Sequence, residues 1–200
     1  MIRFFDILFS LIGLLILSPL LLVISVLIKI TSRGPVLFKQ KRVGFSNIDF
    51  LVWKFRTMRC NSDNHSMLTI GNRDPRITKI GYYLRKSKLD ELPQLINVLF
   101  GVMSFVGPRP EVRKFVDFYN IEQQKILTVK PGITDWSSIF YRDESVILYK
   151  SNNPEYDYIH LILPDKIRYN LIYINNKRLN EYFIIIFVTI WRIIFPLKNN

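Results

Sequence analysis

The 200-residue chain predicts a helix-dominated α+β fold with one core, a small β-hairpin and an N-terminal helix embedded in a membrane. Three observations carry that expectation. Residues 4 to 28 are almost wholly apolar, two alternating runs flank the short segment Gly44 to Asn47, and much of the remainder repeats its apolar residues at helical spacing. No Pro/Gly/Ser-rich linker or internal repeat divides the chain. The expected organisation is therefore a membrane helix over 1–30, continuous with one body over 31–200.

The run FFDILFSLIGLLILSPLLLVISVLI carries a single charge, Asp6, and at ~1.5 Å per residue is long enough to cross a bilayer. It is too long, and lacks the small-residue cleavage pattern, for a removable leader. Ser18-Pro19 lies near its middle, where the proline deletes one helical hydrogen bond and the serine hydroxyl can serve the freed carbonyl. A bend is expected there. Arg3 precedes the run while Lys29, Arg33, Lys39, Lys41 and Arg42 follow it, so flanking charge gives both ends the same preference. From the residues alone a kinked spanning helix is favoured over one that enters and returns on the same face.

In the body, VLFKQ and IDFLVWKF read as the strands of a hairpin, with Lys54 and Arg56 on the second, facing either a polyanion or, as isolated strand cations do by default, water. Cys60 to Asp74 reads as a loop and Ile80 to Lys88 as a helix. Ser104 to Val106 is a short apolar run, Glu111 to Leu127 reads as an amphipathic helix, Pro131-Gly132 marks a turn, and Pro164 to Asn176 reads as a further helix. Tyr182 to Phe195 is too short to span; it either lies at the membrane interface, as Trp191 and Arg192 suggest, or packs on the body.

The segment KLDELPQLINVLFGVMSFVGPRP carries the most chemistry. Asp90 and Glu91 stand just before Pro93, a residue favoured at a helix start, and Leu92, Leu95, Ile96 and Leu99 form one apolar face of a helix ending near Gly101. An anionic pair there is ordinary first-turn capping when taken alone. Pro108 and Pro110, however, pin Arg109 in an extended conformation, and a fixed guanidinium suits phosphate or carboxylate.

Composition narrows the classes. The net charge is +12, and residues 1–114 hold 18 Lys/Arg against 7 Asp/Glu while residues 115–200 hold 10 against 9. The basic half suits nucleic acid, an anionic membrane surface or a polyphosphate substrate. One cysteine, Cys60, excludes an internal disulfide framework, and with His65 and His160 it makes no zinc-spaced cluster or nucleophilic triad. P-loop, dinucleotide-fold and serine-hydrolase signatures are absent from the sequence.

Taken together, DILFSLIGLLILSP, GPVLFKQKRVG, KFRTM, DPRITKIGYYLRKSKLDELPQLINVL, MSFVGPRP and KPGIT resemble the bacterial sugar transferases, monotopic phosphoglycosyl transferases that start glycan assembly on a polyprenyl phosphate. The resemblance covers nearly the whole length. It implies a re-entrant helix broken at Ser18-Pro19, reversing the residue-only preference, and a catalytic body with amphipathic interfacial helices on the cytoplasmic face of the bacterial inner membrane. It implies that Asp90 attacks the β-phosphate of a UDP-sugar, releases UMP and holds the phosphosugar until polyprenyl phosphate (undecaprenyl phosphate) accepts it. Lys54, Arg85 and Arg109 fall on the phosphate-binding positions. Mg2+ is the implied cofactor, with Asp90 and Glu91 as its candidate ligands and Glu91 alternatively in proton transfer. The implied partners are the UDP-sugar, membrane lipids and downstream glycosyltransferases rather than nucleic acid, with homo-oligomerisation left open. The products would be exopolysaccharide, capsule or O-antigen glycans.

Three positions depart from the family pattern: Val102 replaces an acidic residue, Lys88 a small hydroxyl residue, and Asp135 the glycine after PGIT. Val102 puts support of the Arg109 loop in question, and Asp135-Trp136 suggests a subgroup with its own sugar preference. Two other classes fit part of the sequence. A non-enzymatic membrane-anchored basic adaptor would bind acidic partners in a salt-sensitive way, indifferent to Asp90. An aspartyl-dependent membrane phosphatase would release phosphate rather than UMP.

Overall fold

The computed structural model describes residues 1–60, 68, 70–71, 74–176 and 178–195. Helix α1 (Ile2–Thr31) runs through Pro19 as a single element. Proline leaves the Leu15 carbonyl without its helical donor, and the Ser18 hydroxyl donates to that oxygen at 2.8 Å. The predicted serine compensation is thus present. Among the described helices only α1 is long and apolar enough to cross a membrane. Leu11, Leu15, Ile16, Leu22 and Val26 are exposed along it.

Polar groups dock the two ends of α1 to the body. Asp6 is buried, and its Oδ1 accepts from the Ser104 hydroxyl (3.0 Å), the Phe105 amide (3.0 Å) and the Tyr182 hydroxyl (2.9 Å). The one charge in the apolar run is a tether rather than a lipid-facing group. Arg3 donates to the carbonyls of Val98 (2.5 Å) and Leu99 (2.7 Å) in the last turn of a second helix, the end that favours a cation. At the far end Arg56 donates to the carbonyls of Ser32 and Arg33, while Ile24 and Ile28 bury against Phe55 and Leu84.

Strands β1 (Leu37–Val43) and β2 (Asp49–Phe55) form the expected antiparallel hairpin, pairing Leu37 with Phe55 and Val43 with Asp49. Ser46 and Asn47 take left-handed torsions in its turn. The polar segment from Cys60 to Asp74, His65 included, lies largely outside the described residues. Helix α2 (Lys79–Lys86) starts at Thr78, whose hydroxyl accepts from the Gly81 amide. Helix α3 (Gln94–Phe100) ends at Gly101, which takes the left-handed torsion that a closing glycine supplies.

The buried side of α3 differs from the expected one. Gln94, Leu95, Asn97 and Val98 are buried, because α3 packs against α1 and β2 at once rather than showing one face to a core. Asn97 takes the place of a neighbouring strand for β2, accepting from the Trp53 amide at 2.9 Å and donating to the Leu51 carbonyl at 2.7 Å.

Beyond α3, β3 (Ser104–Val106) pairs in parallel with β4 (Gly132–Thr134), after the short helix α4 (Arg113–Val116) has intervened. The expected helix over Glu111 to Leu127 is therefore replaced by α4, a turn and a 3-10 segment, Gln123–Thr128. Asn120 and Gln123 exchange backbone-to-side-chain hydrogen bonds at 2.9 Å each, restarting the chain there, and Glu111 is drawn into a buried ion cluster.

The chain continues through α5 (Trp136–Phe140), α6 (Glu144–Tyr149), α7 (Pro154–Asp157), a π-helical turn over Tyr158–Ile162, α8 (Leu163–Asn175) and α9 (Leu179–Ile194). Asp135 is fully buried and caps α5 through the Ser138 amide (2.6 Å), which gives this family departure a local structural job. Helix α9 packs on the body through Tyr182 and Ile185, while Phe187, Ile190, Trp191 and Ile194 remain exposed as an apolar face.

Candidate active site

The Asp90-Glu91 pair sits in a 3-10 turn, Leu89–Glu91, separate from α3 rather than within its first turn. Lys88 precedes the turn with left-handed torsions (φ 59°, ψ 15°), and Pro93 separates it from α3. The two carboxylates have different surroundings. Glu91 reaches Lys54 and Arg109, whereas Asp90 Oδ1 is buried with no hydrogen-bond partner among the described residues.

Lys54 reaches Glu91 from β2, with Nζ 2.8 Å from Oε1, although only 18 % of its side chain is exposed. The water-facing expectation for this strand cation fails. The reason is that Asn97 clamps β2 to α3, bringing the lysine directly against the 3-10 turn. Arg109 grips the same carboxylate in bidentate fashion, one nitrogen at 3.2 Å from Oε2 and the other on Oε1.

The Arg109 loop is held by backbone. Gly107 donates to the Thr134 carbonyl (3.1 Å) and Gly132 to the Pro108 carbonyl (3.0 Å). A Cβ on Gly132 would come 2.2 Å from the Gly107 nitrogen, so no larger residue fits that crossing. Behind the loop, Arg42 donates to the Pro110 carbonyl at 3.2 Å and the Val43 amide to the Glu111 carbonyl at 2.9 Å. Val102 is 42 % exposed and takes no part, so the support in question comes from Glu91 and this backbone frame instead.

Arg85, on α2, is half-buried near Asp90 and makes no ion pair among the described residues. The three sequence-predicted cations are therefore gathered around the two carboxylates, with Lys54 and Arg109 in contact and Arg85 at a distance.

The two acids have opposite electrostatics. Burial pushes the Asp90 carboxyl above the usual aspartate range and the negative charge of Glu91 adds to that, while Lys54, Arg85 and Lys88 only partly offset it. Burial would raise Glu91 too, but Arg109 and Lys54 outweigh it and hold Glu91 well below its ordinary value. Glu91 is a fixed anion inside a cation clamp. Asp90 is a more basic, unshared carboxylate, as a nucleophile or a ligand for a hard cation requires.

Sequence reasoning missed the cluster behind the loop. Glu111 accepts from the Tyr158 hydroxyl (2.7 Å) and Lys166 (3.1 Å), with Arg42 at 3.4 Å, and Lys166 also bridges Glu144 at 2.9 Å. Only the adjacency of Glu111 to Pro110 could have flagged it; Tyr158 and Lys166 come from distant segments with no local signature.

Among the described residues no three His, Cys, Asp or Glu side chains gather as a metal cage. Asp90 still fits a Mg2+ ion, which needs one or two carboxylates and takes its remaining ligands from phosphates and water. Both Glu91 oxygens are engaged by Lys54 and Arg109.

Comparison with known proteins gives the family. A 45 % identical segment of 142 residues, 70 % of this chain and 34 % of the other, aligns with the UDP-N-acetylgalactosamine-undecaprenyl-phosphate N-acetylgalactosaminephosphotransferase of Aeromonas hydrophila. The UDP-glucose:undecaprenyl-phosphate glucose-1-phosphate transferase of Klebsiella pneumoniae is 37 % identical over 198 residues, 95 % of this chain and 39 % of its own length. An exopolysaccharide production protein of Rhizobium leguminosarum bv. phaseoli is 53 % identical over 108 residues, 54 % of each chain. The chain spans a little over a third of the length of the first two relatives. The sequence pattern of the bacterial sugar transferases matches residues 1–196, and the chain belongs to that family.

Proposed function

We propose that the chain transfers a sugar-1-phosphate from a UDP-sugar to a polyprenyl phosphate at the cytoplasmic face of the bacterial membrane and releases UMP. The observation that carries the reading is the division of labour in the acid pair: Glu91 holds Lys54 and Arg109 in place, and Asp90 is left buried, unshared and more basic than usual. Asp90 attacks the β-phosphorus, the bond from that phosphorus to the oxygen of the α-phosphate breaks, and UMP leaves with the electron pair. The acyl phosphate formed on Asp90 is then attacked by the oxygen of the polyprenyl phosphate, which restores the carboxylate and yields the polyprenyl-diphosphate sugar.

Lys54, Arg85 and Arg109 offset the repulsion between an anionic nucleophile and a diphosphate. Mg2+, held by Asp90, would lower the charge on the departing UMP. The substrates named by the relatives, UDP-sugars with undecaprenyl phosphate, have this chemistry.

Helix α1 supports the re-entrant reading. It is docked near its start by Arg3 and Asp6 and near its end by Ile24, Ile28 and Arg56 to one charged body. A helix held so cannot carry its ends to opposite faces without drawing that body into lipid. Its exposed apolar residues and the apolar face of α9 then seat the site at headgroup level, where the lipid phosphate waits.

The test is a panel of UDP-sugars scored for UMP release by the full chain in lipid with Mg2+ and polyprenyl phosphate. Release with at least one sugar, dependent on Asp90, is expected; release of inorganic phosphate instead would make the protein a phosphatase.

A further inference from the structure

Lys88 is the one residue beside the acid pair that combines an unfavourable backbone with an unused charge. Its φ of 59° is in the left-handed region, which glycine enters freely and a lysine enters at a cost. The other described non-glycine residues with positive φ, Ser46 and Asn47, lie in the hairpin turn, where short polar residues are ordinary. Lys88 instead opens the turn that carries Asp90 and Glu91: the Glu91 amide donates to the Lys88 carbonyl, and the Lys88 amide to the Arg85 carbonyl.

The side chain is half-buried and makes no ion pair among the described residues. Its ammonium nevertheless lies in the field of Glu91, Arg109, Asp90 and Arg142. A cation kept partly out of water without a partner is costly, and a bound anion relieves that cost. Charge balance points the same way. Lys54, Arg85, Lys88 and Arg109 surround two carboxylates, an excess of two positive charges that suits a diphosphate. Where the family resemblance puts a small hydroxyl residue, this chain puts a lysine in strained backbone.

We propose that Lys88 is an additional phosphate-binding cation of this chain, turned into the Asp90 site by its left-handed backbone and completed by a substrate phosphate. The inference rests on the transferase reading. Two phosphates have the required chemistry, the diphosphate of the nucleotide sugar and the phosphate of the polyprenyl acceptor.

The experiment compares the wild-type full chain in lipid with Lys88→Gly, Lys88→Gln and Lys88→Arg. In a two-stage transfer kcat/KM for each substrate is independent of the other, so the affected value identifies the phosphate that Lys88 meets. Lys88→Gly is expected to melt no lower than wild type while losing about tenfold in one kcat/KM, the size of one charge-assisted hydrogen bond. Lys88→Gln, which keeps the side-chain bulk, is expected to lose the same, and Lys88→Arg to retain most activity. Both kcat/KM values within twofold of wild type in Lys88→Gly and Lys88→Gln would overturn the assignment.

Binding of inorganic pyrophosphate, measured by calorimetry on the same variants, reads the cation without turnover. If wild type releases no UMP with any UDP-sugar, the transferase reading fails, and weaker pyrophosphate binding in Lys88→Gln still reports on Lys88. Unchanged pyrophosphate binding in that setting would overturn it.

Discussion

Two buried acid–base clusters lie back to back across the Gly107–Pro110 loop, and they differ in completeness. Behind the loop every charge is answered: Glu111 by Tyr158, Lys166 and Arg42, and Lys166 also by Glu144. In front of it Glu91 is answered by Lys54 and Arg109, but Asp90 Oδ1, Arg85 and Lys88 are left without a direct charge partner among the described residues. The closed cluster fixes the backbone that presents Arg109. The open one is, on the proposed function, the site that a substrate closes. The same residue types thus serve architecture or chemistry according to whether their valences are filled.

Substitutions can break that contrast, the largest effect first. Asp90→Asn should lower UMP release by at least a thousandfold, while its melting temperature stays at or above that of wild type, because the change removes a buried carboxylate with no partner. Glu91→Gln should cost roughly a hundredfold in kcat/KM by loosening Lys54 and Arg109. It should also bring the Asp90 pKa down, readable by carbon NMR of labelled aspartate, since a like charge beside it is gone.

The closed cluster should respond in stability instead. Glu111→Gln removes the buried carboxylate that Lys166 and Arg42 share, leaving Lys166 with Glu144 alone, and should cost about 3–5 kcal/mol in a denaturant titration, whereas adding Lys166→Met should recover part of it. Tyr158→Phe should cost about 1–2 kcal/mol, by removing one buried hydrogen bond to Glu111.

Acid separates Asp90 from the two glutamates by sign. Glu91 and Glu111 are both held below their ordinary range, the first by Arg109 and Lys54 and the second by Lys166 and Arg42, in each case against burial. Their contribution is present above the unfolded carboxylate range and is lost as pH falls through their lowered folded values. Asp90 is raised, so its contribution is present at low pH and fades as pH rises through its elevated value. Melting curves from pH 3 to 8 should show wild type losing stability on acidification, and Asp90→Asn losing more across the same range. The smallest effect is expected at the membrane helix: Ser18→Ala should cost about 1 kcal/mol or less, by leaving the Leu15 carbonyl unpaired next to Pro19.

Much of the open site was legible because it is local. Asp90, Glu91 and the proline-pinned Arg109 lie within twenty residues of one another, and the proline and glycine punctuation marks their backbone. The hairpin, α2, α8 and the end of α3 at Gly101 followed from period and turn chemistry. Illegible features came from long-range contacts. Asp6 read as a lone charge in lipid, yet it finds Ser104 and Tyr182 far along the chain. Lys54 read as water-facing until Asn97 joined α3 to β2. The helix expected from Glu111 to Leu127 failed because burying Glu111 and the Asn120–Gln123 exchange outweighed an amphipathic pattern. Periodicity records which residues prefer burial, and it cannot name their partners.

The central claim is that Asp90 carries the phosphosugar while Glu91 only shapes the site. It is tested by incubating the full chain in lipid with a UDP-sugar labelled in its β-phosphate, without polyprenyl phosphate, then quenching and measuring label bound to denatured protein. Wild type should retain label covalently with an equal amount of UMP released, and Asp90→Asn should retain none. UMP release by Asp90→Asn when polyprenyl phosphate is supplied, or label retained on that variant, would contradict the account.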